Sequence, residues 1–130
     1  MLKLTYTETS FHLELLAQSL EEWVQGRVIL SLRVGQRFLV EPTTASFLLP
    51  RELPELSFLQ AAADLERDDA IAIGLCDASH VEVSLQGTWI AALEQSAEGV
   101  FVTALSDRTE FFLLTLWQQA QACTSCINSG

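Results

Sequence analysis

The stretch from Arg27 to Glu41 constrains this chain more than any other. Val28, Leu30, Leu32 and Val34 alternate with Ile29, Ser31 and Arg33, the period-two pattern of a pleated strand. Gly35-Gln36 then separates this run from Phe38-Leu39-Val40. Glycine at the first central position of a two-residue loop suits a type II′ turn, because that position needs φ > 0. The pattern therefore predicts a β-hairpin. Its register places Leu32 opposite Leu39 and Arg33 opposite Phe38, and directly opposed residues share a face. Val28, Leu30, Leu32, Val34 and Leu39 are expected to form a core face. Ile29, Ser31, Arg33, Phe38 and Val40 are expected on a second, mixed face.

Around this hairpin the remaining segments alternate between strand and helix signals. Leu2, Leu4 and Tyr6 predict a first strand, closed by a turn at 8–10. Residues 11–25 carry two patterns. Leu13, Leu16, Ala17, Leu20, Trp23 and Val24 share a helical face, which favours a helix ended by Gly26. The alternative is a strand followed by a shorter helix from Leu20, since Ser19 and Glu22 have capping-box spacing. Pro42-Thr43-Thr44 reads as a turn, and Ser46–Leu49 as an extended segment held so by Pro50. Pro54 opens a helix running to about Glu66. Residues 70–76 read as a buried strand, apolar throughout. Val81, Val83 and Leu85 predict a strand with one wet face, Gly87 a bulge or a tight turn, and residues 88–91 its continuation. A loop at 94–99 precedes a strand at 100–105. Asp107 and Glu110 open the last helix as a capping box. The fold class is α+β, a mostly antiparallel sheet with about three helices packed on one face, in one domain over residues 1–130.

Composition bounds the function more than any motif does. The chain has 130 residues, 49% of them hydrophobic, enough for a core without staples. No apolar run approaches the roughly 20 residues that span a bilayer, and the N-terminal residues lack the apolar stretch of a signal peptide. Three cysteines are an odd count, which favours a reducing compartment over a disulfide framework. The expected location is cytoplasmic. With seventeen acidic and seven basic side chains, net charge −10, most of the surface repels phosphate backbones, so neither nucleic acid nor membrane is expected as a partner.

Each chemical motif has a plainer reading beside it. Cys123-Thr-Ser-Cys126 falls late in a helix, where the partial charge disfavours thiolate. Adding Cys76 and His80 gives a tetrahedral donor set of acceptable chemistry but unfamiliar spacing, and the plainer reading makes Cys76 and Cys123 small buried apolar residues. His80 with Asp77 is the nearest approach to an acid–base pair. Asp64, Glu66, Asp68 and Asp69 lack the alternation of a calcium loop and read as a solvated helix end. No phosphate-binding glycine motif is present. The expectation is no catalytic residue, no metal and no cofactor.

Two readings of function follow. In the first, the protein is not an enzyme and binds another protein, a second copy included, through Ile29, Arg33, Phe38 and Val40. Arginine among apolar residues is favoured at interfaces. In the second, a small molecule binds in a pocket lined by Trp23, Trp89, Trp117 and Phe101. At Glu41-Pro-Thr-Thr-Ala-Ser-Phe-Leu-Leu-Pro50 and along Ser106–Cys123 the chain resembles a small family of cyanobacterial proteins to which no chemistry is assigned. The resemblance implies a bacterial cytoplasm and carries over no functional residue.

Overall fold

A strand pair with an unambiguous alternation starts the chain. In the computed structural model, which describes residues 1–92 and 98–129 and the side chains of the described residues up to Gln121, β1 (Leu2–Tyr6) pairs antiparallel with β2 (Phe11–Leu15). The later elements are α1 (Leu20–Arg33), β3 (Leu39–Pro50), α2 (Leu56–Glu66), β4 (Ile71–Leu75), β5 (His80–Ala91), β6 (Gly99–Thr103) and α3 (Asp107–Ser129). The strands run β2-β1-β6-β5-β3, with β4 on β5. With three helices, the molecule is α+β.

The expected hairpin at 27–41 does not exist. Its first arm is the second half of α1, and only residues from Leu39 onward are strand. Helix signals at both ends outweigh the alternation between them. The Ser19 hydroxyl accepts the Glu22 N–H at 3.3 Å, the N-cap bond, and Glu21 and Glu22 complement the positive end of the helix dipole. At the other end Gly35 has φ +73°. The Gly35 N–H donates to the Leu32 carbonyl at 3.4 Å and the Gln36 N–H to the Ser31 carbonyl at 2.9 Å, the two bonds of a Schellman motif. Gly35 thus closes a helix rather than a hairpin. The helix expected over 11–25 is likewise replaced by β2 and then α1, the shorter alternative, and Gly26 lies inside α1 rather than after it.

Smaller corrections share one cause: local signals yield to the long strands. Pro42-Thr43-Thr44 is not a turn but part of the twelve-residue β3, which ends the strand order and tolerates proline for that reason. Gly87 is an interior residue of β5. A Cβ there would overlap the Val102 carbonyl oxygen and lie 2.7 Å from Phe101 Cζ, so β6 can approach only because the side chain is missing. The last helix is capped by Ser106 rather than Asp107. Its hydroxyl accepts the Thr109 N–H at 3.3 Å, and Glu110 Oε1 accepts the Leu105 N–H at 3.4 Å. Most of the loop expected at 94–99 lies outside the described residues.

The chain packs as two compact units, 1–45 with 86–104 and 46–85 with 105–130. In the first, β1 is flanked by β2 and β6, with Leu4 opposite both Leu13 and Phe101, all three buried. Trp23 of α1 packs in a cluster with Ile90 and Val102. Phe38, Leu20 and Val24 close around that cluster. In the second, Phe47, Leu49, Val81, Val83 and Leu85 of the strands are buried, as are Leu59 and Ala62 of α2 and Leu113, Leu116 and Trp117 of α3. Phe47 meets Trp117 edge-on at 5.6 Å.

Candidate interaction site

The feature that stands out is α1. At about 100° per residue, Leu20, Trp23, Val24, Arg27 and Ser31 share one side, and Trp23 and Ser31 are the buried residues of the helix. An ordinary surface helix would be polar elsewhere. Here the rest of the second half is apolar too: Leu32 is 74% exposed, Val34 59%, Leu30 51% and Ile29 42%. A helix apolar on all sides is normally covered on all sides, and grouped exposed apolar residues mark an interaction surface.

Arginines frame this surface. No acidic residue lies between Glu22 and Glu41, while Arg27, Arg33 and Arg37 do, in a chain with net charge −10. All three are exposed. The Arg27 guanidinium stacks 4.7 Å from the Trp23 ring centroid, and the Lys3 ammonium lies 5.9 Å from the same ring while pairing with Glu14 at 3.2 Å. Arg27 is thereby held against Trp23, and Arg33 and Arg37 are exposed.

The residues singled out from the sequence are partly brought together. Ile29 and Arg33 stand four apart on α1, so they share a face. Val40 is exposed at the start of β3, and Phe38 is half-buried against the Trp23 cluster. Of the four aromatic residues, Trp89 and Phe101 are directly opposed across β5 and β6, Trp23 lies in the same unit, and Trp117 lies in the other. Trp23 and Phe101 are buried in the first unit, and Trp89 of that unit meets Tyr6 edge-on at 6.5 Å. Trp117 is buried in the second unit on Phe47.

His80 and Asp77 close the β4–β5 turn. Asp77 Oδ1 accepts the backbone N–H groups of Ser79 and His80, each at 2.8 Å, and the Ser79 hydroxyl at 3.1 Å. His80 Nδ1 stands 3.6 Å away. The two backbone N–H bonds hold the Asp77 carboxyl below its ordinary range. Of the acids at 64–69, Asp68 accepts the Ser106 N–H at 2.7 Å and the Ala70 N–H at 3.4 Å, so it anchors the start of α3. Among the described residues no three His, Cys, Asp or Glu side chains converge as a metal site would require. Cys76 is exposed rather than buried, a free thiol, and the side chains of Cys123 and Cys126 lie outside the described residues.

Leu30, Leu32 and Val34 are the surface residues that the sequence pattern assigned to the core. Ser19, Glu22 and Gly35, read together as the two ends of one helix, carry the signal that would have exposed them.

The arrangement defines an α+β protein whose prominent surface feature is an apolar, arginine-framed helix. The model of the Alr0857-like family matches residues 1–121, and the chain belongs to that family. The family's name is that of a cyanobacterial gene. No curated protein and no solved structure matches the chain.

Proposed function

We propose that this is a non-enzymatic protein that acts by binding another protein through the second half of α1. The observation that carries the reading is the exposure of Ile29, Leu30 and Leu32 on one short helix and of Val34 at its C-cap. Leaving such a surface in water forgoes about 25 cal/mol for each Å² that a partner would cover. The arginines choose the partner. An acidic surface with an apolar centre complements them, whereas two copies meeting face to face through α1 would oppose Arg27, Arg33 and Arg37 with their own kind. A second copy therefore docks through a different, acidic surface or not at all. The exposed Cys76 thiol supports a reducing, cytoplasmic setting, and the net charge of −10 supports a partner that is neither nucleic acid nor an anionic membrane. Among the described residues no helix is long and apolar enough to cross a membrane.

The test compares the full chain with Leu32→Glu, which is expected to fold normally because the side chain is in water. Light scattering over a range of concentrations reports self-association, and affinity capture from a cyanobacterial extract reports other partners. We expect the wild-type chain to associate or to retain a partner and Leu32→Glu to lose it. A wild-type monomer with the same capture profile as Leu32→Glu would overturn the reading.

A further inference from the structure

The residues at 70–76 read as a strand buried on both sides, yet the structure leaves one side open. Among the described residues β4 pairs only with β5. In their register Leu75 faces Val81, and the next pair along, Cys76 and His80, is hydrogen-bonded, with the Cys76 N–H donating to the His80 carbonyl at 3.4 Å. Antiparallel partners alternate between bonded and non-bonded pairs. Ala72, Gly74 and Cys76 therefore turn their backbone groups to β5, and Ile71, Ile73 and Leu75 turn theirs away. The Ile71 N–H is spent on the Asp68 carbonyl at 3.4 Å. Among the described residues nothing pairs with the N–H and C=O groups of Ile73 and Leu75, which form an open sheet edge.

Natural proteins usually blunt such an edge with a charge, a proline or a cover. None of these is present on β4, whose sequence is Ile-Ala-Ile-Gly-Leu. Leu75 is 78% exposed, and a Cβ added at Gly74 would meet nothing within 4 Å. Two adjoining cavities, of about 540 and 590 Å³, lie between this strand and α2 and share Gln60 and Ile73 in their walls. A groove between a helix and a free strand edge matches one occupant in particular, an extended backbone that supplies donors and acceptors in the strand repeat.

We propose that the α2–β4 groove binds an extended segment of a partner protein, which adds to β4 as a further strand. Side chains on one face of the segment lie along Ile73, Leu75 and α2, so alternate apolar residues are required. The groove's charges set the direction. Arg51 stands at the Leu75 end, and Asp64, Asp68 and Asp69 outnumber Arg67 at the Ile71 end. The segment accordingly carries a basic residue beside Ile71 and an acidic residue or terminal carboxylate beside Arg51. This surface and its occupant are independent of the α1 reading.

The probe is a synthetic peptide of alternating valine and threonine, with two lysines at one end and an aspartate at the other. It is made in three forms: unmodified, and N-methylated at either the odd or the even positions. Binding to the full-length ¹⁵N-labelled chain is followed at the Ile73 and Leu75 amides. The unmodified peptide is expected to shift both saturably. One methylated form should lose roughly tenfold or more in affinity, since it loses its hydrogen bonds to β4, and the other should retain binding because its methyl groups point away from β4. Leu75→Asp, placed on an exposed position beside the peptide's aspartate, should weaken peptide binding while leaving the spectrum elsewhere unchanged. Leu32→Glu should leave the peptide response intact, which separates this result from the α1 test. Absence of saturable shifts with the unmodified peptide, or equal affinity for all three forms, would overturn the proposal.

Discussion

At the scale of single residues, the helical course of α1 inverts two mutational expectations. The hairpin register put Leu32 in the core and Phe38 outside it. In the structure Leu32 is 74% exposed, and Phe38 packs on Trp23, Ile90 and Val102. Leu32→Ala should change stability by no more than about 0.5 kcal/mol, as expected of a surface position in a helix. Phe38→Asp should cost about 2–4 kcal/mol, because it removes apolar packing and places a carboxylate against a hydrophobic cluster. Urea melts of the two variants give the comparison directly, and a reversed order would restore the hairpin. Asp77 makes a different prediction. Its carboxyl is held below the ordinary range by the Ser79 and His80 N–H groups, so its folded pKa lies below its unfolded one. The stability it contributes is present above about pH 4 and is lost as the pH falls through the folded value. Asp77→Ala should therefore lower the urea midpoint at pH 6, by a difference that shrinks as the pH falls below about 4. An undiminished difference at pH 3 would mean that the loop acts through something other than the ionised carboxylate.

At the scale of elements, the two glycines of α1 test the helix itself. Gly26 lies mid-helix, and a Cβ added there would meet nothing within 4 Å, so Gly26→Ala should stabilise by about 0.5–1 kcal/mol. Gly35 has φ +73° at the helix end, so Gly35→Ala should destabilise by about 1 kcal/mol. Thermal melts of both variants should move in opposite directions, whereas a strand at 27–34 would give Gly26→Ala no helical gain. The same element shows what was legible in the sequence. β1, α2 and α3 were readable because one periodicity fits each of them and caps or prolines bound them. In α1, Val28 to Val34 alternate as a strand would, and the choice of helix lies in Ser19 and Gly35, sixteen residues apart. The exposed site was illegible for the same reason: period two sends Leu30 and Leu32 inward together, while a helix sets them about 200° apart. The open edge of β4 was hidden differently. Continuous apolarity signals burial on two faces, and nothing in Ile-Ala-Ile-Gly-Leu records that pairing stops on one side.

At the scale of the whole molecule, charge acts on folding and on association with opposite signs. Seventeen acidic side chains against seven basic ones leave a net charge of −10, and repulsion among them opposes the compact state. The stretch between Glu22 and Glu41 breaks that uniformity, with three arginines and no acid. Repulsion spread over the chain acts at long range, and the Debye length falls from about 30 Å at 0.01 M salt to about 8 Å at 0.15 M. Sodium chloride raised over that interval should therefore lift the melting temperature by a few degrees. If α1 docks with an acidic partner as proposed, that docking would depend on attraction between Arg27, Arg33, Arg37 and the partner's carboxylates, so the same salt should weaken it, chiefly by slowing association. Apolar contact at Ile29 and Leu32 responds little to salt in this range, so a residual, salt-insensitive affinity should remain. Melts and binding measured across one salt series separate these effects. Association that is indifferent to salt or strengthened by it would assign the surface to its leucines alone, and the arginine frame would then have no part in choosing the partner.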